Sequence, residues 1–291
     1  MRTATVILVL LSLFLLPART QPAGVTRDIE YGVAGGTSLR LDACVPKGPG
    51  PFPVAILVHG GGWSAGDKSG SNHPGDGADI SPWFAPLTAA GFTWFSINYR
   101  LAPAHPWPAC YEDVLTAIRW AKLHATEYRG DPGQIALVGH SAGGQLVCLA
   151  ANADSAATRV QAVVGFAPVT DFEFELPIRH GAWPALQNLL GCPQGFTPEA
   201  LALLPRLSPV NHVKAGLPPF LILQGDADRT VPIQESRNFV ARLRAAAVPC
   251  ELIVIPGAPH RLLAWTQFDP AYADRMTAWL RQTLGVKPSA P

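Results

Sequence analysis

Short apolar runs alternate with amphipathic stretches along most of this chain. Val54–Val58, Phe92–Asn98, Ile135–Val138, Val160–Phe166, Phe220–Gln224 and Glu251–Ile255 are dominated by Val, Ile, Leu and Phe. Such runs, punctuated by Gly and Pro (Pro53 and Gly60 around the first, Gly91 before the second), are the pattern of strands buried on both faces. Between them the apolar positions shift to helical spacing. Tyr111, Val114, Leu115 and Ile118 fall at i, i+3, i+4 and i+7 and predict a helix over Pro108–Ala125. Further helices are predicted over Ala142–Asn152, Ile233–Ala246 and Ala271–Leu284, and a hairpin joins Thr26–Val33 to Ser38–Val45 around Ala34-Gly35-Gly36-Thr37. Strands alternating with helices specify an α/β fold, a mostly parallel central sheet flanked by helices on both sides.

Three stretches break this rhythm. Residues 171–209 mix Pro and aromatic residues with short helical patches between two strands, the place for a small lid insertion over a site. Residues 64–80 are rich in Gly, Asp, Ser and Asn and read as a solvated loop, a candidate wall of the entrance. At the N-terminus Arg2 precedes the apolar run Val6–Leu16, then Pro17 and the small residues Ala18, Thr20 and Ala23. That is the signature of a secretory signal peptide over residues 1–20, leaving 21–291 as one domain that is secreted or periplasmic. The run is too short for a stable membrane anchor.

Composition narrows the picture further. With 291 residues, 48% of them hydrophobic and 15% charged, the chain can bury one large core. A net charge of +1 without a basic stretch argues against a nucleic-acid partner. The five cysteines are widely spaced and odd in number, with no Cys-x-x-Cys, so neither a metal nor a redox motif is present. Export would permit one disulfide, and Cys148 reads as a buried apolar residue.

The chemistry is carried by Gly139-His140-Ser141-Ala142-Gly143-Gly144, directly after the Ile135–Val138 strand and opening a helix. A serine on so sharp a strand-to-helix turn exposes its hydroxyl, and only glycine fits at Gly139 and Gly143. A serine is a weak nucleophile without a base. His260 follows the last strand through a Pro-Gly turn, whereas His59, His140 and His212 adjoin other elements. A carboxylate must orient that imidazole. Asp226 and Asp228 both stand after the Phe220–Gln224 strand and either can serve; Asp226 directly follows Gly225, where an acid commonly shapes the turn, which favours Asp228. Oxyanion donors are expected from Ala142 and from Gly61 and Gly62 in His59-Gly60-Gly61-Gly62-Trp63. Trp63, Phe172 and Trp183 are candidate substrate-binding residues, and each can equally pack into a small core.

These motifs, with Asn98-Tyr99-Arg100-Leu101-Ala102-Pro103, resemble the α/β-hydrolase superfamily in its branch with a His-Gly-Gly-Gly oxyanion loop. Hormone-sensitive-lipase-like esterases share the first motifs but usually carry Asp where this chain has His140. The sequence is more similar to exported bacterial esterases of the feruloyl- and acetylxylan-esterase type and to kynurenine-formamidase-like hydrolases. The resemblance implies a secreted serine carboxylesterase that hydrolyses short-chain or aromatic acyl esters, small or carbohydrate-linked, through an acyl-enzyme on Ser141, with no cofactor. The alternative is an amidase, arylformamidase or peptidase-like hydrolase using the same three residues.

Overall fold

The apolar runs assemble into one eight-stranded sheet. The computed structural model describes residues 24–70, 78, 80–153 and 155–286, so the expected signal peptide lies outside the described residues. The strands are β1 (Gly24–Ala34), β2 (Thr37–Val45), β3 (Phe52–Val58), β4 (Thr93–Ile97), β5 (Gly130–His140), β6 (Ala162–Phe166), β7 (Phe220–Gly225) and β8 (Cys250–Ile255). Their order is β1-β2-β4-β3-β5-β6-β7-β8. The hairpin β1–β2 joins β4 antiparallel, and every pairing from β4 to β8 is parallel. The helices are α1 (Phe84–Ala89), α2 (Ala109–His124), α3 (Ala142–Ala150), α4 (Phe172–Ile178), α5 (Pro184–Leu189), α6 (Pro198–Leu201), α7 (Leu204–Leu207), α8 (Ile233–Ala245) and α9 (Tyr272–Thr283).

Period-two alternation explains why the strands are apolar throughout. In β3, Val54, Ile56 and Val58 enter one core cluster, and Ala55 and Leu57 enter the other. In β5, Ile135 and Leu137 take the first side, Ala136 and Val138 the second. Val114 of α2, Leu146 of α3 and Phe239 of α8 cover the first face; Leu87 of α1 and Met276 and Leu280 of α9 cover the second. A strand covered on both sides has no place for a solvated residue. The α3 helix is extreme: all nine of its residues are buried, because β3, β5 and β6 lie beneath it and α2 beside it.

Several boundaries differ from the pattern-based expectation. β5 starts at Gly130, five residues before its apolar run, because Phe52 of β3 pairs with Gly130 across a register shift. α3 stops at Ala150 rather than Asn152. The six-residue α1 has too few turns to show a period and goes unseen in the sequence. Residues 171–209 fold as α4 to α7, none longer than seven residues. All five cysteines are free thiols, so the disulfide that export would permit is not formed.

Of the loop expected at 64–80, residues 71–77 and 79 lie outside the described residues. Lys68 is buried, its ammonium 2.9 Å from Asp28 and 3.1 Å from Asp42, while its amide donates to Asn98 Oδ1. Its described residues 64–70 therefore dock on β1, β2 and β4, and none of them lines the cavity described below. The entrance-wall expectation fails for them because a buried lysine must stay with its carboxylates.

The parallel strands β3 to β8 all end on the same sheet edge. The loops leaving those ends carry His59–Trp63, Asn98–Pro103, Ser141, Asp226–Val231 and His260. In open α/β sheets this is the edge where ligands bind.

Candidate active site

Ser141 sits between β5 and α3 at φ 55°, ψ −118°, a conformation that L-residues rarely adopt. Such a backbone costs on the order of 1–3 kcal/mol and persists only where its surroundings dictate it. They do so here. The Ser141 amide donates to Phe166 O at 2.9 Å, tying the turn to the end of β6. A Cβ at Gly139 would lie 2.3 Å from Gly143 O, and one at Gly143 would lie 2.3 Å from Val58 O. The glycines let three backbones close on one another and leave the serine at the crest.

The three residues far apart in sequence meet at this crest. The Ser141 hydroxyl donates to His260 Nε2 at 2.8 Å, and His260 Nδ1–H donates to Asp228 Oδ2 at 2.7 Å. The Asp228 carboxylate is fully buried and accepts three further bonds: Thr230 N (2.8 Å) and Val231 N (2.9 Å) on Oδ1, and Gln224 Nε2 (2.9 Å) on Oδ2. Gln224 is held in turn by Ser236, whose hydroxyl donates to its Oε1. A carboxylate fixed by four donors cannot swing away from the imidazole. Asp226 takes a different part. It is exposed and accepts the Gly257 amide at 2.6 Å, shaping the turn that leads to His260.

His140 borders this chain without belonging to it. Its Nε2–H donates to the backbone carbonyl of His260 at 3.0 Å, and the two rings lie 4.9 Å apart. Burial, and then the neighbouring His260, pull the His140 imidazole down from 6.5 to about 3. His140 therefore stays neutral and anchors the loop that carries His260. The consequence for stability has a definite sign. Between pH 6.5 and about 3 the unfolded chain binds a proton at His140 that the folded chain does not. The stabilisation is complete above pH 6.5 and declines as pH falls, by about 1.4 kcal/mol per pH unit. Urea titrations from pH 7.5 to 4.5 should show this slope in the wild type and a shallower one in His140→Asn; equal slopes would remove His140 from the account.

The loop after β3 carries Gly61 and Gly62, two of the residues from which donors are expected. The Tyr99 hydroxyl lies 3.1 Å from both His59 O and Gly60 O, and its ring stacks on His59 at 4.4 Å. Gly61 and Gly62 both have positive φ, and a Cβ at Gly61 would lie 2.2 Å from Ala65 O. The Gly61 and Gly62 amides take no backbone acceptor among the described residues, and Ala142, in the first turn of α3, has no intrahelical one to give its amide. All three residues line one cavity with Ser141 and His260. The positive end of α3 adds to the favourable field for an anion there.

That cavity has a volume of about 320 Å³. Trp63 and Trp183 form part of its wall. Trp63 does both things open to it in the sequence: it lines the cavity, and it is almost wholly buried, its indole N–H donating to Gln145 Oε1 at 3.0 Å. Gln145 also donates to Leu207 O, which ties the loop after β3, α3 and the 172–207 segment together. Phe172 is a correction. It is fully buried 5.5 Å behind Trp183 and 5.6 Å from Trp63, and it does not line the cavity. It is the first residue of α4, whose N-terminus Asp171 caps by accepting the Phe174 amide.

Sequence reasoning missed Gln145, Gln224 and Arg179. Gln145 had a visible signal, a lone amide in an otherwise apolar helix. Gln224 closes a strand of apolar residues in the same way. Arg179, a cavity-lining residue at the end of α4, had none.

Comparison with known proteins agrees with this geometry. The BD-FAE family model matches residues 41–243. The chain belongs to the BD-FAE family. This BD-FAE member is 38% identical over 232 residues to the probable carboxylic ester hydrolase LipM of Mycobacterium tuberculosis, covering 75% of this chain and 51% of LipM. It is 31% identical over 236 residues to carboxylesterase NlhH of the same organism, covering 77% and 70% of the two chains. The chain thus spans about half the length of LipM and more of NlhH. Among solved structures, a truncated carbohydrate esterase from gut microbiota superposes with a TM-score of 0.76 at 26% identity, over 92% of this chain and 99% of that one. The fold of this BD-FAE member is the α/β-hydrolase fold.

Proposed function

We propose that the protein is a serine carboxylesterase acting on short-chain or aromatic acyl esters, small or carbohydrate-linked, and that residues 1–20 direct its export. The observation that carries the reading is the hydrogen-bonded line from Ser141 through His260 to Asp228 at the floor of a cavity edged by three amides. The relatives' names, and the carbohydrate esterase among the structural neighbours, support the ester bond and the carbohydrate link.

The steps follow from the distances. Ser141 Oγ attacks the ester carbonyl carbon while its proton passes to His260 Nε2. Asp228, held by four donors, stabilises the imidazolium. The carbonyl oxygen becomes an oxyanion facing the Gly61, Gly62 and Ala142 amides. Collapse expels the alcohol, which takes the proton back from His260 and leaves an acyl group on Ser141. Water then repeats the sequence and releases the acid. Because His140 stays neutral, the imidazolium never meets a second cation in ring contact.

Cavity size argues for short or flat acyl groups. About 320 Å³ is near the lower end for small-molecule sites, and indole walls suit an aromatic ring. The test is a panel of 4-nitrophenyl acetate, butyrate and palmitate, acetylated and feruloylated xylo-oligosaccharides, and a formyl arylamine, beside labelling with a fluorophosphonate probe. Covalent capture at Ser141 and kcat/KM highest on a short or aromatic ester are expected. Faster turnover of the formyl arylamine than of any ester would replace this reading with amide hydrolysis.

A further inference from the structure

Among the described residues, Arg179 is the sole Asp, Glu, Lys or Arg lining the cavity. Its guanidinium lies over the Trp183 ring, with Cζ 4.1 Å from the centroid. Nε donates to Glu175 Oε1 at 2.6 Å; Nη2 reaches the same oxygen and the Thr230 carbonyl. Nη1 has no partner among the described residues. One edge of the cation is thus tied down, and two N–H donors are left over on a residue that faces the cavity.

The tie itself is built for permanence. Glu175, one helical turn before Arg179, is buried, and so is Glu235 at the start of α8. Glu235 Oε2 accepts the amides of Thr170 at 2.5 Å and Asp171 at 3.1 Å. This leaves Glu235 Oε1 and Glu175 Oε2 as the carboxyl oxygens still to be satisfied, and the two side chains are within hydrogen-bonding reach of each other. Burial, and next the neighbouring Glu175, hold the Glu235 carboxyl well above the usual carboxylate range. Glu175 holds Arg179 by Nε and Nη2. A guanidinium held on that edge keeps its Nη1 donors for another acceptor, and leaving them desolvated beside an alkyl group costs free energy.

We propose that Arg179 is a specificity-determining residue whose Nη1 edge takes an acceptor oxygen of the substrate, so that the preferred esters carry a carboxylate, hydroxyl or ether oxygen on the part that lies beneath α4. This rests on the serine-esterase reading above. Uncharged polyols and carboxylate-bearing acyl groups share that chemistry, and the test separates them.

The experiment compares matched esters that differ by the acceptor. On the acyl side, 4-nitrophenyl valerate is set against mono-4-nitrophenyl succinate and 4-nitrophenyl 3-methoxypropionate. On the alcohol side, cyclohexyl acetate is set against an acetylated methyl xyloside. The wild type should favour the oxygen-bearing member of one pair by about 10-fold or more in kcat/KM, mostly through KM. A preference confined to succinate identifies a carboxylate; one shared with the ether or xyloside identifies a neutral oxygen. In Arg179→Met that ratio should fall to about one, whatever the absolute rate. Arg179→Lys keeps a cation for Glu175 and serves if the first variant does not fold; without the planar fork it should retain less than half of the preference on a logarithmic scale. A wild type that does not discriminate within any pair, or a ratio unchanged in both variants, overturns the assignment. Failure to turn over any ester would instead sink the proposed function, so the two failures are distinct.

Discussion

Replacing Ser141 by Ala should lower kcat on 4-nitrophenyl acetate by about 10⁶-fold, with the folded state intact. In the proposed mechanism the hydroxyl forms the covalent bond, and His260, whose Nε2 lies 2.8 Å away, is the base. Alanine keeps the Cβ, so it inherits the strained φ of 55° without adding to it, and the amide bond to Phe166 O is unaffected. What remains is the oxyanion donors and the bound substrate, which still favour attack by water. Steady-state kinetics and the far-UV spectrum of the purified variant check this together. More than about one part in a hundred of wild-type activity in a contaminant-free sample would contradict a nucleophilic Ser141.

The second large effect is at Asp228. Asp228→Asn should cost about 10⁴-fold in kcat. The Asn oxygen can still accept the Thr230 and Val231 amides, which places its NH₂ at the position of Oδ2. That NH₂ would face two present-day donors, His260 Nδ1–H and Gln224 Nε2. The imidazole must then carry its proton on Nε2, pointing at Ser141, where it can no longer accept the serine's. Gln224 keeps the Val231 carbonyl but loses one of its two acceptors in a buried site, so a loss of stability of about 1–3 kcal/mol should accompany the kinetic defect. Asp226→Asn is the internal control. It sits in the same loop but is exposed, and among the described residues its carboxylate bonds only the Gly257 amide, so kcat should stay within about threefold of wild type. Equal defects in the two variants would mean that the orienting acid has been misassigned.

The difference between these two aspartates shows where sequence reading stops. Both follow the same strand and both look apt. The choice is made by Gln224, Thr230 and Val231, whose donors converge on a single carboxylate only after the loop has folded. The buried strands, by contrast, were legible in place though not at their ends, because burial on both faces writes itself into composition. The elbow was legible because Gly139 and Gly143 answer to atoms that any such turn must bring close. Trp63 was legible as a residue type and position but not as to role, since lining a cavity and packing behind it need the same side chain. Phe172 was misplaced because a short helix has no period to show which way its first residue points. Arg179, Glu175 and Glu235 were invisible as a set: they stand at i, i+4 and on a helix 56 positions further along the chain from Arg179, and ordinary surface ion pairs read no differently.

The Ser141 turn is gripped by β3, β6 and Pro168, whereas Arg179, Trp183, Pro184 and Ala185 of the cavity wall come from the end of α4 and the start of α5. Segment 172–207 leaves after one strand and returns before the next, so part of the wall is carried by a single stretch of polypeptide. That stretch is not detachable: Gln145 of α3 holds Leu207 O, and any segment put in its place would have to offer that amide a carbonyl at the same point.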